Sequence, residues 1–289
     1  MASQWRTLKS SRILIGVALL LSLLMVLVAP MVTARPQAPR AGGRLVVGYE
    51  ADVVSLDPAQ PTDINSMHVL VNMYDTLFTW STTQVGLIVG DLATSSSVSK
   101  DGKVYTLQLR HGVQFQDGTP FNAGAVAFTF NRILDPKNPY FKYGPFPFAA
   151  FFYGEIKSVQ ALGPYTVRFT LSSPTASFIN SLTIATSSIV SPAAVAKYKA
   201  AFPLHGGGTG AFELGTWQRG TQLVLKPNPH YWNGAPALDS LIYIPIVQPD
   251  QRVTQLQAGT VNLIVNPSPV GSVQLQSNHN FQVQAKTGP

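Results

Sequence analysis

The sequence predicts an α+β fold. Three observations carry that expectation: short apolar strand segments, helical stripes placed between them, and tight turns that join neighbouring strands into antiparallel hairpins. Hydrophobic residues make up 45% of the 289-residue chain, enough for a large core. No internal repeat and no long low-complexity tract interrupts the pattern.

The elements follow in order. Arg44-Leu-Val-Val-Gly-Tyr49 reads as a buried strand, stopped by Ser55-Leu-Asp-Pro58 because proline biases Asp57 to an extended or turn conformation. Met67–Leu77 reads as a helix with Val69, Met73 and Leu77 on one stripe and Asn65 or Ser66 as its cap. The turn Lys100-Asp-Gly-Lys103 feeds Val104–Leu109, which alternates with period two. Asn122 caps a helix over Ala123–Leu134, ended by Pro136. Ile156–Leu162 and Tyr165–Leu171, around Gly163-Pro164, form a hairpin. Leu223–Leu225 and Leu241–Ile246 are strands, Pro249–Ala258 a helix closed by Gly259, and Val261–Val265 a last strand. Ser268–Pro289 is polar, rich in Gln and Asn, and offers no closing element, so a mobile tail is expected there.

The N-terminus has the order of an export signal. Arg6, Lys9 and Arg12 precede an uncharged apolar run, Ile13–Ala29, and Val32-Thr33-Ala34 supplies short residues at a cleavage site. Cleavage after Ala34 is the favoured reading. An uncleaved membrane anchor is the alternative, although the run is short for a span of about 20 residues. Either way the remainder is expected outside the cytoplasmic membrane. Arg35–Gly43 reads as a Pro/Gly linker.

Composition narrows the chemistry. Cysteine is absent, which excludes disulfides, thiolate metal sites, a cysteine nucleophile and a lipid-bearing cysteine. The net charge is +7, yet no basic run suits a nucleic acid. The five histidines are far apart and lack metal spacing, so neither a metal nor a cofactor is expected. His205-Gly-Gly-Gly208 resembles an esterase oxyanion strand, but no G-x-S-x-G elbow accompanies it, leaving a flexible glycine loop. The acids are spread singly, with no paired carboxylates, and no catalytic residue is assigned. The aromatic run from Tyr140 to Tyr153 reads as core or loop plug, with an apolar binding surface as the alternative.

Two blocks of segments stand out in order along the chain. The first is Gly42–Tyr49 with Ser55-Leu-Asp-Pro58, Tyr74-Asp-Thr-Leu-Phe78, Asp91-Leu-Ala93, Tyr105–Arg110 and Asp117-Gly-Thr-Pro-Phe121. Thr209-Gly-Ala-Phe212, Trp217, Asn228-Pro229, Tyr231-Trp232, Leu238-Asp239, Arg252 and Ala258-Gly259 form the second. Together they resemble the family 5 solute-binding proteins of ABC transporters, which bind oligopeptides, dipeptides, glutathione and nickel. The chain departs from the pattern at Ala123-Gly-Ala-Val126, where an acidic residue and Asp-Val are usual, and at Ser95-Ser-Ser97.

The resemblance implies a periplasmic-binding-protein-like fold of type II, with lobe one over residues 44–265 and an inserted subdomain at about 80–200. Residues 266–289 would lead toward a second lobe, which the sequence is expected to lack, as a fragment or a truncated gene. It implies a small-molecule or peptide ligand, closure of two lobes around it, and ABC permease subunits as partners at the membrane. By the same resemblance Asp52, Val53 and Val54 stand at the cleft edge. Asp52 would meet a ligand amino group or serve as a turn carboxylate. Asn65 and Met67 would line the cleft or simply begin a helix. The rival functional classes are a secreted α+β enzyme and a structural exported domain.

Overall fold

A computed structural model describes residues 42–284. The expected signal at 1–34 and most of the linker at 35–43 lie outside the described residues, as do the last residues of the expected tail.

In chain order the elements are β1 (Arg44–Tyr49), α1 (Ile64–Met73), β2 (Phe78–Trp80), β3 (Ile88–Gly90), β4 (Ala93–Val98), β5 (Val104–Leu109), α2 (Ala123–Leu134) and α3 (Ala149–Tyr153). There follow β6 (Ile156–Gly163), β7 (Thr166–Leu171), α4 (Phe178–Ser181), α5 (Pro192–Tyr198), β8 (Phe212–Gln218) and β9 (Gln222–Pro227). The chain continues through β10 (Ser240–Pro245), α6 (Pro249–Gln257), β11 (Leu263–Ile264) and α7 (Pro269–Gln276).

Two larger sheets organise these elements. One is antiparallel, in the order β4-β5-β7-β6; two hairpins, β4–β5 and β6–β7, are joined by the β5–β7 pairing, which sets Val104 opposite Thr170. The other is mixed, in the order β11-β1-β10-β9-β8. There β1 lies parallel to both β10 and β11, with Arg44 opposite Ser240 and Val47 opposite Leu263. A short ribbon, β2-β3, stands beside them. Each larger sheet has its own apolar core. Leu107, Phe130, Val167 and Phe169 centre the first, and Val47, Leu70, Met73, Leu225 and Tyr243 the second.

The helix over Ala123–Leu134 forms as expected, with the Asn122 side chain accepting from Ala125 N at 3.1 Å. The first helix is shifted from its expected position. It starts at Ile64, because the Asp63 carboxylate, not Asn65 or Ser66, caps it by accepting from Ser66 N at 2.8 Å. It ends at Met73, and Tyr74 is extended, so Leu77 reaches the core from outside the helix. The last expected strand contracts to Leu263–Ile264.

Two further expectations need correction. Beyond Val265 the polar composition predicted no ordered element, yet Pro269–Gln276 is a helix. Ser268 caps it, Pro269 sits in its first turn, and Gly271 lets it approach Val253 closely while Leu275 is buried. The His205–Gly210 loop is not loose. Gly206 and Gly207 have positive φ, and the residues Gly206–Gly210 are buried. A side chain at Gly210 would meet the Met73–Tyr74 backbone at 2.5 Å. The glycines are there for close packing.

Candidate functional site

In an open sheet with parallel strands, the chain leaves the carboxyl ends by separate routes and opens a crevice there. Here that rim lies at the carboxyl ends of β11, β1 and β10. Leaving β1, the chain passes Glu50, whose Oε2 accepts from Asn266 Nδ2 at 3.1 Å beyond β11. It then crosses toward the β8–β9 turn, since the amino end of β9 lies beside the carboxyl end of β10.

Asp52 fixes that crossing. Its Oδ1 accepts from Val53 N at 2.8 Å and from Trp217 Nε1 at 3.3 Å, and its Oδ2 accepts from Gly220 N at 2.7 Å. Val54 is held on both sides of its backbone. Its N–H donates to Ser66 Oγ at 2.9 Å, and its carbonyl accepts from Arg219 Nη2 at 3.2 Å. The Val54 side chain remains 59% exposed. Ser66 is itself oriented by donating to Asp63 Oδ2 at 2.8 Å.

The five residues expected at a cleft therefore separate. Asp52 and Val54 stand on the rim, while Val53 belongs to the second core. Asn65 is buried beside Ser66, and its Oδ1 has no hydrogen-bond partner. Met67 is half-buried and packs against the same core.

Beneath the rim, the turn at Ser55–Pro58 is tied down by charge. Asp57 and Arg132 of α2 form a bidentate pair at 2.6 and 2.8 Å, both side chains almost wholly buried. The Arg132 guanidinium also lies 5.4 Å from the Phe146 ring centre and 5.7 Å from that of Phe202. Tyr74 OH donates to Leu56 O at 2.7 Å and accepts from Gly207 N at 2.9 Å. The pair links the helix of one core to the turn above the other.

Arg252 holds the far side of the rim. From α6 it donates to Ile246 O and Val247 O, at 2.6 and 2.9 Å, and to Val265 O and Asn266 O, at 3.0 and 2.6 Å. A single guanidinium thus pins the segments leaving β10 and β11. Val247, between them, is 68% exposed. Nothing but the resemblance singled out Arg252 in the sequence, because its partners are all backbone.

The structure also brings together two acids that the sequence left apart. Asp75 accepts from Thr209 Oγ1 at 2.7 Å, Trp232 Nε1 at 2.9 Å and Tyr231 OH at 3.4 Å. Asp91 accepts from Thr76 N at 3.1 Å. Burial, then the Asp75 charge, pushes the Asp91 carboxyl up to about 7, and burial raises Asp75 as well. Arg110 donates from Nε to Asp91 O at 3.1 Å and lies 4.0 Å over the Trp232 ring. Three donors already occupy the Asp75 carboxylate, which makes this cluster a buried join rather than an acid–base pair open to a substrate.

The aromatic run divides between its two expected roles. Tyr153 is buried, whereas Phe151 is 80% exposed. Phe141, Phe146, Phe151 and Phe152 line cavities of about 580 and 450 Å³ beside α3. A third cavity, about 440 Å³, lies between β8 and α5. Among the described residues no group of three or more His, Asp or Glu is placed to hold a metal ion.

Comparison with known proteins fits this arrangement. Residues 88–289 match the family model described as bacterial extracellular solute-binding proteins, family 5 Middle. The glutathione-binding protein GsiB of Escherichia coli O1:K1 / APEC is 34% identical over 246 residues, covering 85% of this chain and 46% of that protein. The periplasmic binding protein DppA from Helicobacter pylori, solved with the peptide STSA, superposes with a TM-score of 0.76 at 32% identity. That superposition covers 83% of this chain and 50% of the other. A dipeptide-binding protein from Pseudoalteromonas sp. SM9913, solved with Met-Leu, gives 0.78 at 26% identity over 82% and 50%. The chain thus spans about half the length of the curated relatives it matches.

Proposed function

The chain belongs to the bacterial extracellular solute-binding proteins of family 5, and we propose that it contributes the ligand-receiving lobe of an ABC importer's binding protein. The ligand class is short peptides or related small solutes. The observation that carries this reading is the rim at the carboxyl ends of β1, β10 and β11. Its backbone is rigidly pinned by Asp52, Arg219, Ser66 and Arg252, while Val54 and Val247 are left facing outward. Pinned loops with exposed apolar side chains form one wall of a crevice, and a pre-organised wall binds without the cost of ordering it. Closure of a second lobe over that wall would complete the site and present the complex to permease subunits.

The peptide- and glutathione-binding relatives support the ligand class and a binding role. Export would be directed by the N-terminal segment, with cleavage after Ala34. N-terminal sequencing of the secreted protein should then begin at Arg35, and retention of Met1 would indicate an anchored form.

The rim is one wall of a site and touches only part of a ligand, so residues 1–289 by themselves should bind weakly, on the order of millimolar, which corresponds to about 4 kcal/mol. Thermal unfolding at about 10 mM dipeptide, tripeptide, glutathione or nickel–histidine tests the reading. A ligand at ten times its dissociation constant adds about 1.4 kcal/mol, or roughly 3–5 °C for a chain of this size. A rise with a peptide or glutathione is expected. No shift with any of them, or catalytic turnover that survives purification, would remove the binding reading.

A further inference from the structure

The rim carries a cation whose donors are mostly unused. Arg219, in the turn between β8 and β9, is exposed, and its guanidinium lies 4.5 Å from the centre of the Trp217 ring. One of its N–H groups donates to Val54 O at 3.2 Å. Among the described residues no carboxylate comes within ion-pairing distance of it. The nearby Asp52 carboxylate does not neutralise it by contact, because Trp217, Val53 and Gly220 already hold both its oxygens. Arg252, the other arginine of the rim, is buried and directs its donors to four carbonyls.

Resting on the binding reading above, we propose that Arg219 is the carboxylate receptor of this lobe and that the ligands it selects carry a free carboxylate. A guanidinium presents its N–H groups as a planar fork that matches a carboxylate's two oxygens. Two restraints orient that fork before any ligand arrives. The Trp217 face supports it from one side, and the Val54 carbonyl fixes one edge. The Trp217 indole is itself fixed by Asp52, so the acid acts here as a positioning residue for the platform. A carboxylate seated on the remaining N–H groups would lie next to the exposed Val54 side chain, which gives the adjoining part of the ligand an apolar contact. A terminal carboxylate of a peptide and the carboxylate of a simple organic acid share this chemistry, and the experiment separates them.

The ¹⁵N-labelled protein is titrated with trialanine, with trialanine C-terminal amide and with acetate, following the Trp217 indole, the Arg219 Nε–H and the Gly220 amide by NMR, which reads millimolar affinities directly. Trialanine acid should shift all three signals along one saturable curve. The amide should bind about three- to tenfold more weakly, the range expected for a charge-assisted hydrogen bond at a partly exposed site. Acetate should shift the same signals but require higher concentration than trialanine, since it lacks the contact at Val54. Equal or lower concentrations of acetate would assign the site to simple organic acids instead. In Arg219→Gln the acid and amide curves should coincide, and in Arg219→Lys part of the preference should return. Loss of rim order alone would weaken both peptides equally and leave their ratio intact. Identical acid and amide curves in the unsubstituted protein overturn the carboxylate assignment, as does an undiminished preference in Arg219→Gln. Failure of every probe to shift any signal would instead count against the binding reading itself.

Discussion

The two larger sheets reach their cores by opposite routes. The antiparallel sheet β4-β5-β7-β6 is assembled from two hairpins of consecutive strands, joined where β5 pairs with β7, and these two central strands turn alternate residues into the core. In the mixed sheet, β1 finds its partners some two hundred residues away, and the second half of β1 is buried. That contrast bears on where function can be placed. A hairpin sheet closes on itself and leaves turns at its ends. A sheet whose neighbouring strands run parallel must send its chain out through connections, and the rim with Asp52, Val54 and Arg252 is built from those departures, joined by Arg219 from the β8–β9 turn.

Breaking the link between the regions should have the largest effect. Asp57 and Arg132 are the one fully buried ion pair among the described residues. Arg132→Met leaves a buried carboxylate without its cation and should cost about 3–5 kcal/mol. Urea unfolding followed by near- and far-ultraviolet circular dichroism checks it. If the pair couples the regions, the single transition should also split or broaden. A sharp transition of unchanged midpoint would mean that the regions are joined elsewhere.

Glycine substitutions sharpen the contrast between close approach and open hairpin. Gly210→Ala drives a methyl group into the Met73–Tyr74 backbone, an overpacking expected to cost about 1–3 kcal/mol. At Gly163, in the β6–β7 hairpin, an added Cβ meets nothing within 4 Å, so Gly163→Ala should change stability by less than about 1 kcal/mol in either direction. Equal losses for both would show that the long-range packing around Gly210 is looser than the structure describes.

The Asp75–Asp91 cluster predicts a pH dependence whose sign follows from its burial. The Asp91 carboxyl rises from 3.8 to about 7 on folding. Below pH 4 both folded and unfolded chains are protonated, and this contribution is fully present. Between about pH 4 and 7 the folded chain keeps a proton that the unfolded chain has lost, so stability falls as pH rises. The loss should be on the order of 1–3 kcal/mol, since each tenfold change in proton affinity is worth about 1.4 kcal/mol. Asp91→Asn should flatten that slope, and a slope unaltered by the substitution would assign it to other groups.

The smallest expected effect is at the rim. Asp52→Ala removes three accepted hydrogen bonds at a partly exposed site and should cost about 1 kcal/mol. Hydrogen exchange at Gly220 and Trp217 Nε1 should accelerate while β5 and β7 keep their protection. Faster exchange across the antiparallel sheet would show that the rim and that sheet open together.

The local elements and much of the fold class follow from residues that lie near one another along the chain. Asn122 announces α2, and the period-two alternation of Val104–Leu109 announces β5, because capping and pleating depend on residues only a few positions apart. Local sequence determines less at β4, where Ala93-Thr-Ser-Ser-Ser-Val98 carries little strand signal and becomes a strand by pairing with β5. The helix at Pro269–Gln276 escaped composition, because two inward positions, Gly271 and Leu275, suffice to seat it on α6. Asp52 and Val54 were singled out through the resemblance to a family, and both stand on the rim. The placement of Arg219 and Arg252 on that same rim was not legible, since nothing in a sequence states that a turn and two strand ends, remote from one another along the chain, will lie together. That arrangement arises in the folded chain alone, because β1 pairs with β10 and β11 through backbone hydrogen bonds, which are indifferent to side-chain identity. Their register, and so the company each rim residue keeps, is set by how the apolar faces of distant segments pack together.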